Sequence, residues 1–141
     1  MISDLINLKK IAYDLANKIT IGDVICLHGD LGAGKTTFAK LLVNELCQKE
    51  TDVASPSFNI VLTYNSPKGL IWHYDLYRIK HVEELEEIGL SEALTSGITI
   101  VEWPEIAREF MIHNNIIDIN FNFVKNDHNK REITINNIPI G

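Results

Sequence analysis

Apolar positions recur along the chain with two periods, and the switches between them mark out the elements. Leu5, Leu8, Ile11, Ala12, Leu15, Ala16 and Ile19 fall on one helical face with Lys9, Lys10 and Asp14 opposite, which predicts an amphipathic helix over 3–18 with Ser3 as its N-cap. Gly22 ends this segment. Val24 to Leu27 is a short apolar run rich in β-formers, and Phe38, Leu41, Leu42, Val43 and Leu46 return to helical spacing. After a polar break at 48–52, residues 60–64 and 70–74 read as strands joined by the turn-forming cluster 65–69, hence a β-hairpin. Residues 82–88 predict an acidic helix broken at Gly89, with another short turn of helix from Ser91. The run 98–101 is a buried-type strand closed by Glu102, and Trp103-Pro104 opens a helix to about Met111. In the tail, Ile117, Ile119, Phe121 and Phe123 alternate with Asp118, Asn120 and Asn122, a half-buried strand. A polar turn at 125–130 leads to a second alternating strand at 131–136.

The loop between the first strand and its helix carries the chemistry. Gly29-Asp30-Leu31-Gly32-Ala33-Gly34-Lys35-Thr36-Thr37 satisfies G-x-x-x-x-G-K-[ST], and strand, glycine loop and helix is the context that phosphate binding requires. The glycines bring backbone N–H groups close to phosphate oxygens, and the helix adds its unpaired amides and positive dipole end. Lys35 can bridge β- and γ-phosphates, and the Thr36 hydroxyl can ligate Mg²⁺. The binding residues are therefore Asp30, Leu31, Gly32, Ala33, Gly34, Lys35, Thr36 and Thr37. The fold class follows: α/β, a P-loop NTPase-like mixed sheet flanked by helices with two antiparallel hairpins, in one ATPase domain over 1–141.

Hydrolysis needs a strand-end carboxylate, and two qualify. Glu102 closes 98–101 where a Walker B acid stands, or is a surface acid beside Trp103. Asp75 closes 70–74, or caps the turn after it. Trp72 and Trp103 read as packing residues rather than stacking platforms. The glutamates of 83–87 read as a solvated face, and Arg78 as either a phosphate contact or half of a surface ion pair. The five histidines show no zinc-ligand spacing and read as structural or surface groups.

Bulk properties narrow the class. With 45% hydrophobic and 23% charged residues the composition is that of a soluble globular domain. A net charge of −6 argues against a free-standing nucleic-acid binder. Cys26 and Cys47 form no C-x-x-C pair, and with no signal-like N-terminus or membrane-length apolar run they point to a reducing cytoplasm. A guanine-specific N-K-x-D is absent, since Asn129-Lys130-Arg131-Glu132 ends in Glu; ATP is preferred over GTP. A stand-alone P-loop phosphotransferase acting on a small metabolite is the alternative class.

The segments 29–38, Ser55-Pro56-Ser57-Phe58-Asn59, His73-Tyr74-Asp75-Leu76-Tyr77-Arg78 and Glu102-Trp103-Pro104-Glu105 resemble, in order and spacing, the signatures of the TsaE (YjeE) family. The resemblance implies an ATPase required for the threonylcarbamoyl modification of adenosine in tRNA. Its partners would be TsaD and TsaB, which transfer the group, with TsaC making the activated intermediate. Contact with tRNA would be indirect, and no membrane is involved. It further implies that Thr36 and Glu102 ligate Mg²⁺, that Asp75 acts in hydrolysis with Lys35, and that 55–59 and 75–78 are nucleotide-sensing switches. Two positions depart from the family pattern: Ser57 replaces the Thr of S-P-T-F, and Leu8 falls where many members carry a Thr near the adenine.

Overall fold

Seven strands form one mixed sheet in the order β1-β7-β6-β2-β5-β4-β3. The computed structural model describes residues 2–3, 5–30, 32–49, 56, 59–124 and 127–136. Leu31, Ser55, Ser57 and Phe58 lie outside the described residues, as does the side chain of Leu5.

The strands are β1 (Ile2–Ser3), β2 (Asp23–His28), β3 (Val61–Ser66), β4 (Gly69–Asp75), β5 (Ile98–Glu102), β6 (Asn115–Val124) and β7 (Asp127–Asn136). The helices are α1 (Leu5–Ala16), α2 (Lys35–Cys47), α3 (Glu84–Glu87) and α4 (Leu90–Ser96), with a 3₁₀ helix over Glu105–Met111. β6, β2, β5 and β4 run parallel, while β3 and β7 pair antiparallel with β4 and β6. The two expected hairpins are therefore present, on the two flanks of a parallel centre.

β2 explains why this centre holds. Its alternate residues enter two different cores: Ile25 and Leu27 pack with α1 and α2, and Val24 and Cys26 pack with α3, α4 and the 3₁₀ helix. A strand buried on both faces needs the continuous apolar run that the sequence supplies. On the first face, Ile11, Ala12, Leu15 and Ile19 meet Phe38, Leu42 and Leu46, each such burial stabilising by about 1.5–3 kcal/mol for the larger aliphatic and aromatic side chains. The Phe38 and Phe121 rings, 5.6 Å apart and tilted, tie α2 to β6. Leu8 is part of this core, so its side chain is occupied in packing.

Several local expectations give way to longer-range forces. Ser3 lies in β1, paired with Arg131 of β7, and α1 begins at Leu5, because the edge of β7 offers Ser3 a backbone ladder. The first hairpin turns over Pro67 and Lys68 alone, so Asn65 and Ser66 belong to the strand. β7 begins at Asp127, which places most of the expected turn 125–130 in the sheet. The acidic helix shortens to Glu84–Glu87, and the segment after Pro104 winds as 3₁₀ rather than α. Trp103 marks the last change. It sits at φ 58° between the end of β5 and the 3₁₀ segment.

Candidate nucleotide site

Four elements deliver the site to one edge of the sheet. β2 ends at His28, the glycine loop follows, and α2 begins at Lys35 with Gly34 as its N-cap at φ 105°. Gly29 cannot be larger: a Cβ there would meet the Phe121 carbonyl at 2.7 Å, so the loop lies directly against β6. The first helical bond runs from the Phe38 N–H to the Gly34 carbonyl at 3.0 Å. The amides of residues 35–37 consequently have no acceptor within the helix, the condition for an anion at a helix N-terminus.

The parallel strands β4 and β5 end alongside, with Asp75 paired in register with Glu102. Gly32, Gly34, Lys35, Thr36, Thr37, Asp75, Glu102 and Trp103 line a cleft of about 210 Å³. The glycine-loop lysine, the two hydroxyl residues and both strand-end carboxylates thus converge. Asp30 and Ala33 stay off this lining: Asp30 is exposed at the loop's start, and the Ala33 side chain is buried in the core. Arg78 is exposed beyond the end of β4 and is not part of the lining either.

Lys35 is only 4% exposed. Its Nζ donates to the Gly29 carbonyl at 2.5 Å and lies 3.4 Å from the centre of the Trp103 ring. Burial lowers its pKa from the ordinary lysine value, while Glu102, Asp75, Glu105 and Asp30 pull it back up. Trp103 is accordingly a wall of the site, which its expected role as a packing residue did not include; Tyr77 packs on it at 4.9 Å between ring centres. Trp72 does pack, stacked on Tyr74 at 6.4 Å.

Glu102 is 2% exposed and held at both ends. Thr36 Oγ1 donates to its Oε1 at 2.7 Å, and His73 Nε2 is 2.7 Å from its Oε2. Adjacent ligands around a small cation with bonds of about 2.1 Å stand about 3 Å apart, so the Thr36 and Glu102 oxygens fit a hard divalent ion such as Mg²⁺. Asp75 Oδ1 accepts from the Tyr77 N–H at 3.0 Å, so this carboxylate caps the turn after β4 as well as lining the cleft.

His73, expected as a structural or surface group, is buried against a carboxylate of the site. A signal was present: His73 and Asp75 are two apart on a strand and therefore share a face. Cys26 is inert by contrast, its thiol pushed up to about 12 by burial, with Sγ 3.6 Å from Met111 Sδ.

The family model described as "Threonylcarbamoyl adenosine biosynthesis protein TsaE" matches residues 2–133. The chain belongs to the TsaE family. Proteins named tRNA threonylcarbamoyladenosine biosynthesis protein TsaE are similar to it along most of their lengths. That of Rickettsia prowazekii is 39% identical over 127 residues, covering 90% of this chain and 86% of the relative. That of Aquifex aeolicus is 39% identical over 127 residues, covering 89% and 86%. The crystal structure of Bacillus subtilus YdiB superposes with a TM-score of 0.68 at 29% identity, covering 98% of this chain and 88% of that one. No helix among the described residues is long and apolar enough to cross a membrane.

Proposed function

We propose that this TsaE-family chain is a Mg²⁺-dependent ATPase that supports a TsaB–TsaD pair in threonylcarbamoylation of adenosine in tRNA. The observation that supports it best is the convergence of Lys35, Thr36, Asp75 and Glu102 on one cleft at the N-terminus of α2. The amides of 35–37 and Lys35 bind the phosphates. Thr36 and Glu102 would hold the metal, which would supply charge neutralisation for the phosphates. Asp75 orients the water that attacks the γ-phosphorus as the bond to the β–γ bridging oxygen breaks, leaving ADP and phosphate. The chain does not itself transfer the threonylcarbamoyl group; its turnover resets the complex.

ATP hydrolysis measured alone and with a TsaB–TsaD pair tests this reading. Stimulation by the pair, with phosphate released to water, is the expected result. Transfer of phosphate to a metabolite would instead make the chain a phosphotransferase.

A further inference from the structure

Among the buried polar groups of the described residues, His73 alone contacts a residue of the site without lining the cleft. It is fully buried, and its Nε2 lies 2.7 Å from Glu102 Oε2. Glu102 Oε1 already accepts from Thr36. A carboxylate oxygen offers only lone pairs to this contact, so Nε2 is its donor. Nδ1 agrees with this: it is buried and has no hydrogen-bond partner, tolerable for an acceptor lone pair but costly for a second N–H.

From this geometry we infer that His73 is a positioning residue for Glu102: it holds Oε2 inward so that Oε1 stays beside the Thr36 hydroxyl, where a divalent cation would be shared. The inference rests on the proposed role of Glu102 as a metal ligand. Strand geometry makes it economical. His73 and Asp75 share a face of β4, and Asp75 is the register partner of Glu102, so one strand supplies both the carboxylate beside Glu102 and the clamp beneath it. A carboxylate free to rotate about its last torsion would present Oε1 correctly only part of the time. A hydrogen bond to the far oxygen of a ligand commonly carries 10–100-fold in metal affinity.

The test uses binding rather than turnover. Wild type, Glu102→Gln, His73→Leu and His73→Gln are titrated calorimetrically with ADP, once in EDTA and once in excess Mg²⁺, beside thermal melts. The expected result is that His73→Leu binds ADP normally in EDTA but loses about tenfold or more of the gain that Mg²⁺ gives the wild type. His73→Gln, whose amide can donate to the same oxygen, should recover most of it. Loss of the gain in Glu102→Gln with retention in His73→Leu overturns the role of His73 alone. Retention in Glu102→Gln overturns the reading of Glu102 and the role of His73 with it. Equal impairment of His73→Gln and His73→Leu also overturns the clamp, because a merely structural role predicts no rescue. Should His73→Leu fail to fold, the imidazole ¹⁵N spectrum of the wild type decides. A fixed Nε2–H tautomer supports the clamp, and an Nδ1–H tautomer refutes it.

Discussion

Replacing Lys35 with Ala should weaken ATP binding about 30-fold while leaving the fold intact. A unit positive charge about 4 Å from a phosphate charge, in surroundings of effective dielectric about 20, contributes about 4 kcal/mol. To reach the phosphate, Nζ must relax its bond to the Gly29 carbonyl and its contact with Trp103. A charge-assisted hydrogen bond and a cation–π contact together contribute about 2 kcal/mol net, so about 2 kcal/mol of attraction survives, and 1.4 kcal/mol is tenfold. The same bookkeeping keeps the stability change small. The variant loses those two contacts but also sheds the cost of burying a cation, which is what lowers the Lys35 pKa.

The pH dependence carries its own sign. Because Lys35 is depressed in the folded chain, the unfolded chain binds more protons between the folded value and the ordinary one near 10.5. Stability at this residue therefore rises with pH across that interval, and Lys35→Ala should lack the rise. Calorimetric titration with ATP and Mg²⁺, paired with melts at several pH values, measures all three quantities. Affinity within threefold of wild type would refute the charge argument, and a collapsed melt would show that Lys35 is part of the core after all.

Asp75→Ala and Glu102→Ala should each retain ATP binding yet lose about a hundredfold or more in hydrolysis, with Glu102→Ala also needing more Mg²⁺. Normal turnover in a steady-state phosphate-release assay would leave Asp75 only its capping bond to Tyr77, or Glu102 only its contacts with Thr36 and His73. The Arg108 guanidinium, with His28 assisting, holds the Asp118 carboxyl below its usual pKa, so this pair stabilises the fold above about pH 4 and the contribution is lost as pH falls through the depressed value. Denaturant melts of wild type and Asp118→Asn should converge as pH is lowered through that range; a constant difference would contradict the assignment. The isolated chain, at net charge −6, should bind tRNA poorly but bind TsaB–TsaD better with ATP than with ADP. Pull-downs in each nucleotide decide, and tight salt-sensitive tRNA binding by the chain alone would count against this account.

What the sequence made legible was whatever local pattern or ligand chemistry controls. The double-sided burial of β2 shows as an unbroken apolar run, and the glycine loop shows as a spacing of glycines between that run and the helix that follows. The strand-end carboxylates were legible for the same reason, since each closes an apolar run. Ser3 was misjudged because capping chemistry is local whereas its ladder with β7 is not. Trp103 packs, as expected, against Tyr77, but its place over Lys35 accompanies a left-handed backbone, which no side-chain pattern reports. His73 was read only as a structural or surface group, because its partner lies on the neighbouring strand and the β4–β5 register is what brings the two together.

The first hairpin brings Ile60 to the end of β4 that carries Asp75. α2 leads away from the cleft edge, and a parallel strand after it would start at the far edge. β3 instead runs opposite to β4, so it starts beside the strand end that carries Asp75. Asn59 and Ile60 therefore arrive where β4 ends. There the Asp75 N–H donates to the Ile60 carbonyl at 2.8 Å, and the Ile60 N–H to the Pro56 carbonyl at 2.6 Å. Ile60 sits at φ 68°, a left-handed conformation that costs a β-branched residue about 1–2 kcal/mol and persists only where its surroundings enforce it. The Leu76 N–H in turn bonds the Glu102 carbonyl at 3.0 Å. Backbone hydrogen bonds thus link Ile60 to Pro56, Asp75 to Ile60 and Leu76 to Glu102. An antiparallel strand at the edge of a parallel sheet makes the bond between Asp75 and Ile60 possible, because it turns the return of the chain into a contact with the strand end that carries Asp75.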